Sequence, residues 1–198
     1  MLRYLPITLF LLVFADRLPA QKRPAQLPPS VAELLINEDW LQEDLDDLVV
    51  QDDYRTLHNG LRHLFLRQRW QGIEVWNGDI AVHTNGSGEL VKLNNGALSR
   101  LAKRVNATVP VLSAEAALAA VLRKNGINDI PSHLAYDAEA MEHTYVGAAF
   151  SGEPVKVKLV LQPEREKLML AWNVSHYTPD GTHWWNVRID ALTGQELD

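Results

Sequence analysis

HLFLRQRWQGIEVWNGDIAVHTNGSGELVKL, residues 63–93, decides how the rest of the chain is read. Over residues 62–68 polar and apolar positions alternate, with Leu64 and Leu66 on one side and His63, Phe65 and Arg67 on the other. That pattern predicts a strand partly covered on both faces. Gln71-Gly72 marks a bend. Asn77-Gly78 is a hairpin signal, because both central positions of a two-residue turn require positive φ, and residues 85–88 supply a second turn. The expectation is an antiparallel meander of 73–76, 79–84 and 89–93.

Outward from this stretch, the composition is that of a folded protein. At 198 residues, with 46% hydrophobic and 22% charged side chains, the chain has room for one large or two small domains without covalent staples. There is no cysteine, so disulfide and thiol chemistry are excluded. A net charge of -6, with Lys and Arg scattered, argues against nucleic acid or an anionic membrane as partner.

Arg3 followed by an apolar run over 5–15 and a small residue at Ala20 reads as a secretory signal peptide, 1–20. Cleavage after Ala15 is the alternative, since Leu18 is large for the position three before the cut. The apolar run falls short of the roughly 20 residues that a membrane span needs. Residues 21–29, with Pro24, Pro28 and Pro29, are expected as a flexible leader. Ser30 and Glu33 form a capping-box pattern ahead of one or two short helices. The acidic residues that follow, Glu38 to Asp53, lack the glycine and spacing of a calcium loop and are expected on a solvated helix face.

Residues 98–111 are expected to link two units. Beyond them Ser113 caps an Ala-rich helix to about Asn125, with Glu115 in its first turn, Arg123 and Lys124 in its last, and Gly126 after it. Residues 127–154 have no clear period. Strands are expected over 155–162, 168–177 and 183–190, with a turn at 178–181. The fold class expected is therefore α+β: two small domains, 30–97 and 112–198, each an antiparallel sheet packed with helix.

The first unit resembles the propeptide motif of fungalysins and thermolysins on His63, Leu66, Arg67 and Gln68, then Gly72, Ile73, Val75 and Asn77, then Gly88 and Leu90. The second resembles the PepSY-like domain that follows it in such pro-regions, on LSAEAAL at 112–118, Trp172 within LAW, the pair Trp184-Trp185, and DALTG from Asp190 to Gly194. The resemblance implies an exported pro-region that assists folding of an attached zinc metallopeptidase domain and inhibits it until removed. Its implied partner is that catalytic domain, in cis or in trans, and zinc would belong there. Because the sequence stops at Asp198, the expectation is a fragment of a larger protease; a free-standing inhibitor or chaperone, or an exported binding module for carbohydrate or protein, are the alternatives.

No reactive centre is legible. HExxH, which sets two imidazoles one helical turn apart around a glutamate, is absent, and no two of the seven histidines stand four apart. They are read as isolated structural residues. Asn85-Gly86-Ser87-Gly88 is a turn, not a nucleophile elbow or phosphate loop. Trp184 and Trp185 point to opposite sides of a strand, so one is expected in the core and at most one at the surface. No catalytic residue, metal ligand or cofactor is assigned to this chain.

Overall fold

The structure is a computed structural model that describes residues 27–37, 40–129, 131–147, 150, 153–178 and 180–197. The expected signal peptide and most of the expected leader lie outside the described residues. Helix α1, Pro29–Asn37, opens with the proline, whose missing N–H costs nothing at a first helical position. A short α2, Gln42–Leu45, follows. Four strands come next: β1 Val49–Arg55, β2 Arg62–Trp70, β3 Ile73–Thr84 and β4 Leu90–Asn95. After α3, Leu101–Arg104, and α4, Ala114–Lys124, the chain forms β5 Ser132–Asp137, β6 Glu142–Val146, β7 Val155–Glu164, β8 Lys167–Tyr177, β9 Trp184–Asp190 and β10 Glu196–Leu197.

All ten described strands hydrogen-bond into one sheet with a principal path β1-β2-β3-β7-β8-β9-β10. The join is short. Glu74 and Val75 of β3 pair in parallel with Val160 and Leu161 of β7, while every other ladder between these strands is antiparallel. β3 and β7 are each longer than the join and use the rest of the same edge for β4 and β6 respectively. Two separate sheets were expected; strand bonding instead runs through both units.

Two apolar clusters nonetheless lie under this sheet. One gathers Val31, Leu35, Trp40, Leu45 and Leu48 against Leu64, Leu66, Ile80 and Val82. The larger gathers α4 through Ala117, Leu118, Val121 and Leu122 against Val157, Leu159 and Leu161 of β7 and Leu168, Leu170, Trp172 and Val174 of β8. β3 serves both. Ile73 and Val75 face the larger cluster, and Ile80 and Val82 face the smaller.

That change from odd to even positions requires a break in the pleat, and Asn77-Gly78 supplies it. The pair does not close a hairpin: residues 73–84 form one strand. Asn77 takes φ 58°, but Gly78 is not left-handed, so the chain bends and continues. Between the pairs Arg69↔Glu74 and Arg67↔Asp79, the β3 residues 75–78 face Gln68 alone. A Cβ at Gly78 would lie 2.9 Å from the Val75 Cβ, so the bulge needs glycine there.

The helix read from Ser113 is observed with its cap: the Ser113 hydroxyl accepts from the Ala116 N–H at 3.2 Å. Residues 98–111 are held along their length. Leu101 is fully buried, Asn106 bonds the backbone of Leu168 and Leu170, and Val111 N–H donates to Ala191. The stretch without a sequence period contains β5 and β6.

Candidate functional site

Strand parity puts every described helix on one face of the sheet. The opposite face carries His63, Phe65 and Arg67 of β2, Asp79, Ala81 and His83 of β3, and Lys156, Lys158, Asn173, Ser175, Asn186 and Arg188 farther along. No described helix lies on it, although Val160, Ala171 and Asn173 on this side are buried. At its centre Glu74 accepts from Lys158 Nζ at 2.6 Å and from Arg67 Nη1 at 3.3 Å, and Arg67 Nε donates to Asp79 at 2.6 Å. This chain of charges crosses the join from β2 to β7. Trp76 and Arg188 reach toward each other over β7 and β8, with the guanidinium 5.1 Å from the ring centre, a cation–π contact across the same divide.

Several residues of the 63–93 stretch hold the backbone behind this face. Gln68 is fully buried, and its amide both accepts from Leu98 N–H at 2.9 Å and donates to Leu98 C=O at 2.7 Å. It therefore completes both hydrogen bonds of a residue leaving the first unit. Gly72 sits at φ 83° with its N–H donating to Asp47 Oδ2 at 2.7 Å; Asp47 Oδ1 also pairs with Arg69 at 2.7 Å. Ile73 and Val75 are core, Asn77 forms the bulge, and Gly88 at φ 87° closes the turn to β4. Asp44, expected on a solvated face, is instead fully buried: its carboxylate accepts from the N–H groups of Leu41, Arg100 and Leu101 at 3.0, 2.7 and 2.8 Å. Three backbone donors offset the cost of burying one charge. No local sequence signal points to this role, because two donors lie more than fifty positions away.

Among the residues singled out in the second unit, Trp172 is buried and donates from Nε1 to Leu112 C=O at 2.7 Å. Asp190 caps the following turn, accepting from Leu192 and Thr193 N–H, and Gly194 takes φ 78° to finish it. Trp184 and Trp185 depart from expectation. Both are exposed, at 57% and 45%, because they open β9 opposite Tyr177 and His176 at the far end of β8. The Trp184 indole is fixed by a 2.9 Å bond from Nε1 to Ser175 Oγ.

Four of the seven histidines are paired, not isolated. His63 Nδ1 lies 2.8 Å from His83 Nδ1, with Tyr54 stacked on His63 and Thr56 bonded to its Nε2. Burial, then His63 and Lys92, hold the His83 pKa below the usual imidazole value. His133 Nε2 lies 3.1 Å from His143 Nδ1, and burial followed by His133 lowers the His143 pKa. This second pair lines a groove of about 600 Å³ with Pro110, Val111, Glu115, Tyr145 and Trp172. Cross-strand register makes both pairs, which sequence spacing cannot show. Among the described residues no group of three or more His, Cys, Asp or Glu side chains converges to hold a metal. Nor is any described helix long and apolar enough to cross a membrane.

Residues 46–97 match the family model of the fungalysin/thermolysin propeptide motif, which spans β1 to β4 and the turn preceding them. No curated protein matches the chain.

Proposed function

From the match of residues 46–97 to a metallopeptidase propeptide motif, we propose that this chain is the pro-region of a secreted fungalysin-like zinc metallopeptidase, serving as folding assistant and inhibitor of its catalytic domain. The match carries the reading. The sheet supports it, since the face with no described helix over it presents half-buried His63, Phe65 and Arg67 and exposed Asp79 and Lys156 to a partner domain, and its four central charges are already positioned by one another. A pro-region working this way binds the folding transition state of a kinetically stable protease and lowers its barrier. It then stays on the folded enzyme until cut away. The second unit is PepSY-like in this reading, and the two units, 30–97 and 112–198, act as separate domains on one sheet. Export by a signal peptide over 1–20 belongs to the same proposal.

The test is inhibition in trans. Purified chain at micromolar concentration, its fold verified by circular dichroism, is expected to slow peptide cleavage by a fungalysin-like peptidase and to speed refolding of that enzyme from denaturant. Unchanged rates in both assays would remove the proposal. A second reading, an exported binding module, draws on the exposure of Trp184 and Trp185. Saturable quenching of tryptophan fluorescence by soluble glycans would favour it, and no change would exclude glycans as the ligand.

A further inference from the structure

The groove beside α4 holds two imidazoles that neither core packing nor the proposed pro-region role employs. We propose that His133 Nε2 and His143 Nδ1 chelate a first-row divalent cation that favours imidazole, copper(II), nickel(II) or zinc(II), with water completing its coordination.

The separation of the donors is the first support. Metal–imidazole bonds of about 2.0–2.1 Å at right or tetrahedral angles place two nitrogens roughly 2.9–3.4 Å apart, and these two are 3.1 Å apart. Both rings are flanked by aromatic neighbours. Tyr136 lies 4.5 Å and Trp172 5.8 Å from His143, and Tyr145 lies 5.2 Å from His133, all between ring centres. The β5–β6 ladder fixes the backbones, so binding asks only that the two rings turn until the nitrogens that face each other in the hydrogen bond converge on one ion. The groove is open to solvent, and His133 is exposed in it.

Charge favours a cation here and disfavours one at the other histidine pair. Glu115 lines the same groove and brings a carboxylate to it. Beside His83 the corresponding neighbour is Lys92, which repels a cation. In the metal-free pair one ring donates its proton to the other. Binding exchanges that hydrogen bond for two metal–nitrogen bonds; the one proton shared between the rings moves to the far nitrogen of its own ring, so that His133 Nδ1 and His143 Nε2 each carry an N–H. Neither atom has a bonded partner among the described residues. No net proton is released from neutral rings.

Titration of the full chain with copper(II) chloride at pH 7.5, followed by electron paramagnetic resonance, tests this. One copper per chain is expected, with hyperfine structure from two nitrogens, displaced by excess nickel(II) or zinc(II). His133→Gln and His143→Gln are each expected to weaken uptake roughly tenfold or more, as loss of half the protein ligands requires. His83→Gln is expected to leave it as it was. Both groove histidines are accessible, so circular dichroism of the variants should match the parent. Uptake no tighter than that of the double variant H133Q/H143Q overturns the proposal and leaves a hydrogen-bonded pair. Uptake lost in H83Q but retained in H133Q overturns it equally.

Discussion

The unit of α1, α2 and β1–β4 and the unit of α4 and β6–β9 lie under one sheet but are held in different ways. The first closes a small apolar cluster and depends on Asp44, Asp47 and Gln68, three side chains aimed at distant backbone groups. The second closes a larger cluster in which a whole helix face meets two long strands. Small cores leave a domain near the stability limit, so buried polar clamps carry a greater share of its stability. They also explain why the motif that identifies the first unit is rich in polar residues and glycine, whereas the second is carried by tryptophan and aliphatic positions.

If the two units differ in this way, polar and apolar deletions should strike different halves of the molecule. Asp44→Ala strands three backbone donors and is expected to cost about 4 kcal/mol. Native-state amide exchange should show the loss in β2 and β3 and spare β7 and β8; equal loss in both would mean that the sheet opens as one cooperative unit. Leu118→Ala is the mirror experiment. Urea unfolding should register about 3 kcal/mol of cavity cost, with faster exchange confined to β7 and β8. Gln68→Ala leaves the Leu98 N–H and C=O unpaired, at about 2 kcal/mol, and Leu98 should lose its exchange protection. An unchanged Leu98 amide would assign its protection to packing alone.

Acid should affect the two units alike, which makes pH a control. His83 in one and His143 in the other have folded pKa values below the ordinary imidazole value of about 6.5. A depressed imidazole pKa favours the neutral form in the folded state. Its contribution is therefore complete above pH of about 6.5 and is lost as pH falls through the folded values. Thermal melts from pH 7.5 to 5 should show this decline, reduced in the double variant H83Q/H143Q. At the small end, Trp184→Ala at an exposed site should shift stability by no more than about 0.5 kcal/mol. A larger loss would show that the indole braces β8 through Ser175.

Much of this was legible from residues alone, and the misses have physical causes. The strand over β2 and the helix α4 could be read because local period and end signals suffice for them. Asn77-Gly78 misled because the dipeptide reports only a readiness for positive φ. Whether the chain turns back or bulges depends on what lies opposite, here the single residue Gln68. The burial of Asp44 and the two histidine pairs depend on contacts between distant positions, which no window along the chain contains. Trp184 and Trp185 alternate as expected, yet the core ends before it reaches them.

The two-residue parallel join has a consequence for the order of assembly. β1 to β4 pair only with near neighbours along the chain, whereas β7 meets β3 after most of the second unit has been laid down. Closure over so long a loop is slow compared with hairpin formation. On a ribosome the first four strands would thus be in place while the flank of β3 at Glu74 and Val75 still waited, and pulse-labelled amide exchange should find those bonds forming last.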